Sequence, residues 1–208
     1  MHILAIESSC DETAAAVLKN KKLLSNVVYS QAIHSKYGGV IPEVAGRYHE
    51  KKIISVVERA IIEAKIDMSD LDCIAITYGA GLVSSLVVGI NYAKGLAISL
   101  GIPIIGINHL EGHLCSNFID NKISYPFLCL LVTGGHTQII NVEKFGVYET
   151  ISSTVDDAAG EAFDKGAKIL GLSYPGGPEI EKYSKNGKNN KYIFAIPKFK
   201  KNKLNFSF

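Results

Sequence analysis

Residues 2–18, HILAIESSCDETAAAVL, decide the fold class. His2 to Glu7 is an apolar run, Ser8 to Thr13 is small and polar, and Ala14 to Leu18 is apolar again. That pattern predicts two strands returning on each other about a turn. Leu23 to Ser30 reads as a third strand, and its connection is short enough to require antiparallel pairing. Further on the period changes. Val44, Ile53, Ile54, Val57, Ile61 and Ile62 roughly follow the helical repeat and predict a helix over Glu43 to Ala64. Cys73 to Thr77 then reads as a short buried strand. Leu82 to Leu100 reads as a helix whose Gly, Ala and Ser residues let it lie close against a sheet, and Ile102 to Ile107 as a closing strand.

Strands that alternate with helices after an antiparallel opening predict an α/β domain with a mixed sheet, the ribonuclease-H-like arrangement. The opening then recurs in residues 127–142, FLCLLVTGGHTQIINV. Phe127 to Val132 is apolar, Thr133 to Thr137 is small and polar, and Gln138 to Val142 returns. Val147 to Ser153 predicts a third strand. A helix is expected over Val155 to Leu170, with Thr154 as its cap and Asp156 and Asp157 in its first turn. Two copies of one opening imply a duplicated fold with a cleft between its halves, divided as residues 1–125 and 126–208. After Gly171 come a Pro/Gly loop, SYPGGPE, a short helical stretch and a lysine-rich end. No later run supplies the strands and helices that complete the first half, so the expectation is a second domain cut off partway.

With 47% hydrophobic and 20% charged residues the composition is that of an ordinary soluble globular protein. Cys10, Cys73, Cys115 and Cys129 are scattered among apolar or small neighbours without a CxxC pair, which predicts buried free thiols in a reducing cytoplasm. Glu7, Asp11 and Glu12 interrupt the first apolar run, unlike a signal peptide. Gly81 to Ile107 is apolar enough to raise the membrane question, but it carries Asn91, Lys94 and Pro103 and divides into a helix and a strand. No membrane span is expected. From Lys182 to Phe208 there are eight lysines and no carboxylate, which suits either contact with nucleic acid or a solvated tail.

Among the residues that carry chemistry, His109 and His113 in HLEGH come first. Four residues apart on a helix, they share a face and can share a metal, and imidazole suits iron, zinc or nickel. A pair of capping or partly buried histidines is the alternative. The run differs from the HExxH of zinc peptidases because Glu111 is third, which turns it away from the metal-facing side. SSCDET, residues 8–13, can cradle phosphate oxygens, with Asp11 holding magnesium or water. TGGHT, residues 133–137, offers two glycines at which a ligand can approach the backbone. A plain hairpin turn explains either one equally well. Asp157, Glu161 and Asp164 form an acidic ridge at helical spacing, a solvated surface unless Asp164 meets a ligand's hydroxyl or amine. Tyr174 to Ile180, YPGGPEI, reads as a tight turn.

Taken together, ILAIESSCDET, GGVIPEVAGRYHEKKI, INHLEGHL, LLVTGGHTQII, DDAAGEAFDKGAKILGLSYPGGP and NFSF resemble the TsaD family, once called glycoprotease or O-sialoglycoprotein endopeptidase. They span nearly the whole chain in order. The resemblance implies an actin-like, sugar-kinase-like ATPase fold of two ribonuclease-H-like halves. It implies an acyltransferase that moves the threonylcarbamoyl group from threonylcarbamoyl-adenylate to N6 of the adenosine beside the anticodon, in tRNAs reading ANN codons. It implies a divalent metal, iron first and zinc second, held by His109, His113 and an Asp near the family's C-terminus. It assigns substrate contacts to Leu131, Val132, Thr133, Gly134, Gly135, Asp164 and Gly177, and to Glu181 where some members carry Asp. Asp11 and Glu12 would orient water, metal or amine near the phosphate. Partners implied are tRNA and, in a bacterium, TsaB-like and TsaE-like proteins in the cytoplasm.

Two departures matter. Gly79-Ala80-Gly81 stands where the family often has GPG, which should only loosen a turn. The family pattern also continues past FSF into a segment bearing a substrate-contacting Asn and the third metal ligand, neither of which is present. The chain alone is therefore expected to be inactive or weakly active. A non-catalytic TsaB-like binding module is the alternative, against which HLEGH speaks; a metallopeptidase is disfavoured by the position of Glu111.

Overall fold

The N-terminal apolar run forms β1 (His2–Glu7), the middle strand of a five-stranded sheet. A computed structural model describes residues 1–119, 121–188, 191–193, 195, 197, 199 and 204–208. β1 pairs antiparallel with β2 (Glu12–Lys19), which pairs antiparallel with β3 (Lys22–Ser30). On its other side β1 pairs parallel with β4 (Cys73–Gly79), and β4 pairs parallel with β5 (Ile104–Asn108). The order β3-β2-β1-β4-β5 is the ribonuclease-H-like one. Each strand lies within about two residues of its expected bounds.

Alternation along the strands selects which face is covered. Leu4 and Ile6, Ala15 and Val17, and Ile74 and Ile76 are buried on one side. Against them pack α1 (Pro42–Ala64) and α2 (Val83–Leu100). Ser85, Gly89, Ala93 and Ala97 recur every four residues and form a stripe of small side chains down the buried face of α2. Gly89 permits the closest approach, because a Cβ there would lie 2.1 Å from Ser8 Oγ. By length and composition α2 could cross a membrane, with a mean hydropathy of 1.4. Its small-residue stripe packs on the sheet and on α1, while Val83, Val87 and Ile98 on its other face are exposed.

The chain divides into two compact units, Met1–Gly112 and His113–Phe208, the division falling within α3 (His109–Ser116). In the second unit β6 (Phe127–Val132), β7 (Thr137–Lys144) and β8 (Val147–Ser153) form an antiparallel meander, repeating the opening of the first. Leu131, Ile140 and Val142 are its buried apolar strand residues. Phe118, Tyr125 and Phe127 pack in a cluster of tilted and edge-on rings, with ring centres 5.7–5.8 Å apart. Near the C-terminus Phe206 makes a parallel bridge to Thr154.

Four expectations need correction in this unit. The helix α4 spans Ala159–Ile169, so it begins four residues later than the apolar pattern implied. Thr154 does not cap it: its hydroxyl donates to the Asp157 carbonyl and to Asp156, closing a separate turn. Thr137 supplies a bond from β7 instead, accepting the Ala159 N–H at 2.9 Å. The acidic ridge is interrupted, since Asp157 precedes α4, and Lys165 ties Asp157 and Glu161 together. YPGGPEI is less a turn than the start of a helix, α5 (Gly176–Ser184). The lysine-rich end falls partly outside the described residues, Lys198, Lys200, Lys201 and Lys203 among them.

Candidate active site

Parallel strands present their C-terminal ends to one rim, where α/β folds gather ligands. At that rim β1 ends in Glu7, β4 carries Thr77, and β5 ends at Asn108, directly before α3. Asn108 sets the start of that helix: its Oδ1 accepts the N–H groups of Leu110 and Glu111, at 2.9 and 3.3 Å. His109 and His113 are thus the first and fifth residues of α3, one turn apart.

Glu7 is the residue that the sequence reading passed over. Its carboxylate accepts the Thr77 hydroxyl and the Ser9 N–H, and it faces His109 Nδ1 at 3.3 Å. Ser9 Oγ lies 3.2 Å from the same ring nitrogen. Burial alone would raise the Glu7 carboxyl, but the hydrogen bonds from His109, Ser9 and Thr77 outweigh it and hold it at about 2. A carboxylate can only accept, so in the contact with Glu7 the donor is Nδ1 of His109. The available signal was a carboxylate closing an otherwise apolar buried strand.

The Ser8–Thr13 turn lies beyond the β1–β2 ladder, which ends at Glu7 and Ala14. Its carbonyls are bonded from the body of the unit. Ser9 O accepts Leu82 N–H at 2.7 Å and Asp11 O accepts Gln31 N–H at 3.0 Å. The Cys10 carbonyl accepts His49 Nε2–H at 2.9 Å and Ser85 Oγ–H at 3.1 Å. Gly81 permits this arrangement, for a Cβ there would lie 2.5 Å from Ser9 O. Asp11 is half-buried, and Glu12 is exposed and accepts the Ser30 hydroxyl. Cys10 is exposed rather than buried, Cys73 is buried, and Cys115 and Cys129 are intermediate.

The second unit builds its turn differently. Thr133 Oγ1 accepts the N–H groups of Gly135 and His136, at 3.3 and 2.9 Å, and Thr133 N–H donates to the His136 carbonyl at 2.8 Å. Gly160 of α4 packs on it, since a Cβ at that position would lie 2.9 Å from Thr133 O and Gly134 Cα. A Cβ on Gly134 or Gly135 would meet nothing within 4 Å, and neither has a positive φ. Neither internal packing nor backbone conformation therefore demands glycine there. Leu131 is buried and Val132 exposed just before the turn.

Asp164 has a local partner that composition did not reveal: it accepts the Gly176 N–H at 2.7 Å and so joins α4 to the start of α5. A Cβ on Gly177 would meet open space, and Glu181 is exposed on α5. Among the described residues no three His, Cys, Asp or Glu side chains converge as a metal cage. The histidine chemistry still fits an ion. A neutral imidazole whose Nδ1–H is held by a carboxylate is the usual form of a histidine ligand.

The family model for TsaD, tRNA N6-adenosine threonylcarbamoyltransferase, matches residues 22–208. The chain is 56% identical over 209 residues to the tRNA N6-adenosine threonylcarbamoyltransferase of Clostridium perfringens strain SM101, covering 99% of this chain and 62% of the relative. It thus spans about 62% of the length of the curated relatives it matches. Among solved structures it resembles YeaZ from Pseudomonas aeruginosa, with a TM-score of 0.51 and 18% identity, over 72% of this chain and 63% of that one. Component A of (R)-2-hydroxyglutaryl-CoA dehydratase from Acidaminococcus fermentans gives a TM-score of 0.52 at 16% identity, over 94% and 62%. At these identities the likeness concerns the fold, the actin-like ATPase type built from ribonuclease-H-like halves.

Proposed function

The chain belongs to the TsaD family, and from that premise we propose that its protein transfers the threonylcarbamoyl group from threonylcarbamoyl-adenylate to N6 of the adenosine beside the anticodon, in tRNAs that read ANN codons. The observation that carries this reading is the Glu7 carboxylate on Nδ1 of His109, at the head of the HLEGH helix. It fixes the tautomer and ring orientation a metal ligand needs. His109 through Nε2, together with His113, would hold iron, with zinc the other candidate. Further ligands would come from elsewhere or from substrate and water. When bound, the ion would supply Lewis acidity toward the acyl carbonyl and its developing charge.

The protein's own groups do the rest. Adenylate is a good leaving group, so the demand is for positioning and charge stabilisation. Thr133, Gly134 and Gly135 supply backbone that a ligand can approach closely, flanked by Leu131 and Val132. Asp11, with Glu12 beside it, orients water or the incoming amine near the phosphate. One Asp164 oxygen is committed to Gly176, so its ligand contact would use the other. Gly177 and Glu181 complete the carried-over contacts. The protein works in the cytoplasm with tRNA and, in a bacterium, with TsaB-like and TsaE-like partners.

The test is chemical. The complete gene product, threonylcarbamoyl-adenylate and unmodified tRNA are incubated with the partner proteins, and the digested nucleosides are examined by mass spectrometry. Threonylcarbamoyladenosine should form, and His109→Ala should abolish it. Its absence from the unaltered reaction would overturn the proposal. The 208 residues alone should give little or no product, and robust turnover by them would show the remaining length to be dispensable.

A further inference from the structure

The one imidazole on α1 that faces the core is His49. It is fully buried in a stripe otherwise made of Ala45, Ile53, Val57 and Ala60. A residue needed only to fill that space would be apolar, because burying an imidazole costs free energy unless both nitrogens are satisfied. Both are. Nε2–H donates to the Cys10 carbonyl at 2.9 Å, and Nδ1 accepts the Thr13 hydroxyl at 2.8 Å. Its two contacts therefore lie on either side of Asp11. The other buried histidine, His34, instead bonds the nearby Gln31 side chain and the Ile41 N–H.

We propose that His49 is a positioning residue: from α1 it clamps Cys10 and Thr13 and thereby fixes Asp11 within the Ser8–Thr13 turn. The functional side of this rests on the reading of that turn as a phosphate contact. Ser85 holds the same carbonyl from α2, so removal of His49 loosens the turn rather than dismantling it.

Cys10 is a built-in reporter of the turn. The residue is exposed to reagent, but its thiol is pushed up to about 12 by partial desolvation and by the Asp11 charge beside it, so in the clamped turn it reacts slowly. Alkylation by iodoacetamide, followed for each cysteine by mass spectrometry, should be about tenfold faster at Cys10 in His49→Ala. Buried Cys73 should stay within about twofold of its original rate. His49→Gln, whose amide can still donate to the Cys10 carbonyl, should restore slow alkylation. Ser85→Ala removes the second donor with little change in volume and should give an intermediate rate, which keeps the test open if His49→Ala folds poorly. Binding of adenosine monophosphate, measured by calorimetry, should weaken by about tenfold in His49→Ala and recover in His49→Gln. An unchanged Cys10 rate in both His49→Ala and Ser85→Ala would overturn the clamp. So would equal acceleration of Cys10 and Cys73, or a His49→Gln chain as fast as His49→Ala. If the Cys10 pattern holds but the unaltered chain does not bind adenosine monophosphate, the phosphate reading of the turn fails and the clamp stands.

Discussion

The Ser8–Thr13 turn is held from outside itself by Leu82, Ser85, His49 and Gln31, whereas the Thr133–Thr137 turn is closed by Thr133 bonding its own neighbours. The first turn is joined to a core in which Leu4, Val17, Val57 and Ile74 are wholly buried. The second unit buries Leu131, Ile140 and Val142 but leaves Leu128 and Leu130, on the other face of β6, more than 60% exposed. One opening of strand, turn and strand has thus become two devices. In the first, the carbonyls of Ser9, Cys10 and Asp11 are held by groups from other elements. In the second, the protein leaves space beside two glycines. The difference is one of rigidity, and it can be broken or sharpened by substitution.

The largest contrast should come from the cores. Leu4→Ala removes a fully buried side chain from the central strand and should destabilise the first unit by about 3 kcal/mol, read from urea titration. Leu128→Ala removes an exposed one and should change stability by less than about 0.5 kcal/mol. Equal losses would mean that the exposed face of β6 is covered in solution. Glycine substitutions follow in size. Gly89→Ala forces a methyl against Ser8 and should cost about 2 kcal/mol, while Gly134→Ala enters open space and should be nearly neutral. If the open space is a ligand's, Gly134→Ala should lose transferase activity in the complete protein without losing stability. A Gly134→Ala chain as destabilised as Gly89→Ala would erase the distinction between the two turns.

Much of the first unit was legible because the sequence signals were local. Short apolar runs gave the strands, and the Gly, Ala and Ser residues of α2 announced close packing. What stayed hidden was partnership across the chain. Thr137 caps α4 from 22 residues away, so Thr154, the plausible local cap, was the wrong choice. Glu7 meets His109 across 102 positions, and Asp164 is committed to Gly176 only because α5 folds back onto α4. The histidine pair and both turns could be read as residue types at a spacing. Their electrostatics could not, since those depend on which strands end side by side.

Glu7→Gln gives the next effect. It leaves a neutral amide where Thr77, Ser9 and His109 expect a charge. The site is about one-third exposed, so screening limits the loss to roughly 1–2 kcal/mol at pH 7. The pH dependence has a definite sign. The folded carboxyl sits at about 2, below its ordinary 4.5, so the unfolded chain binds the extra proton on acidification. The contribution is complete above about pH 4.5 and is lost as pH falls toward 2. The stability difference between the unaltered chain and Glu7→Gln should therefore shrink across that window. A constant difference would show that shape, not charge, holds His109.

His49 supplies the smallest effect and the sharpest one, because its window lies elsewhere. Burial pushes its imidazole below the ordinary 6.5, while the Cys10 carbonyl, Glu7 and Asp11 pull it back up and His34 adds to the depression. The buried ring is neutral, so below about pH 6.5 the unfolded chain takes up a proton that the folded one resists. Its contribution is complete above that value and is lost as pH falls through it. The urea midpoint of the first unit should decline between pH 7 and pH 5.5, before Glu7 begins to titrate, and His49→Gln should flatten that decline. The second unit carries no comparable buried imidazole among its described residues, so its local opening, followed by hydrogen exchange, should change little over the same range. If both units loosen together near pH 6, the clamp on the first turn is not what sets the acid response, and the contrast in rigidity between the two turns has another source.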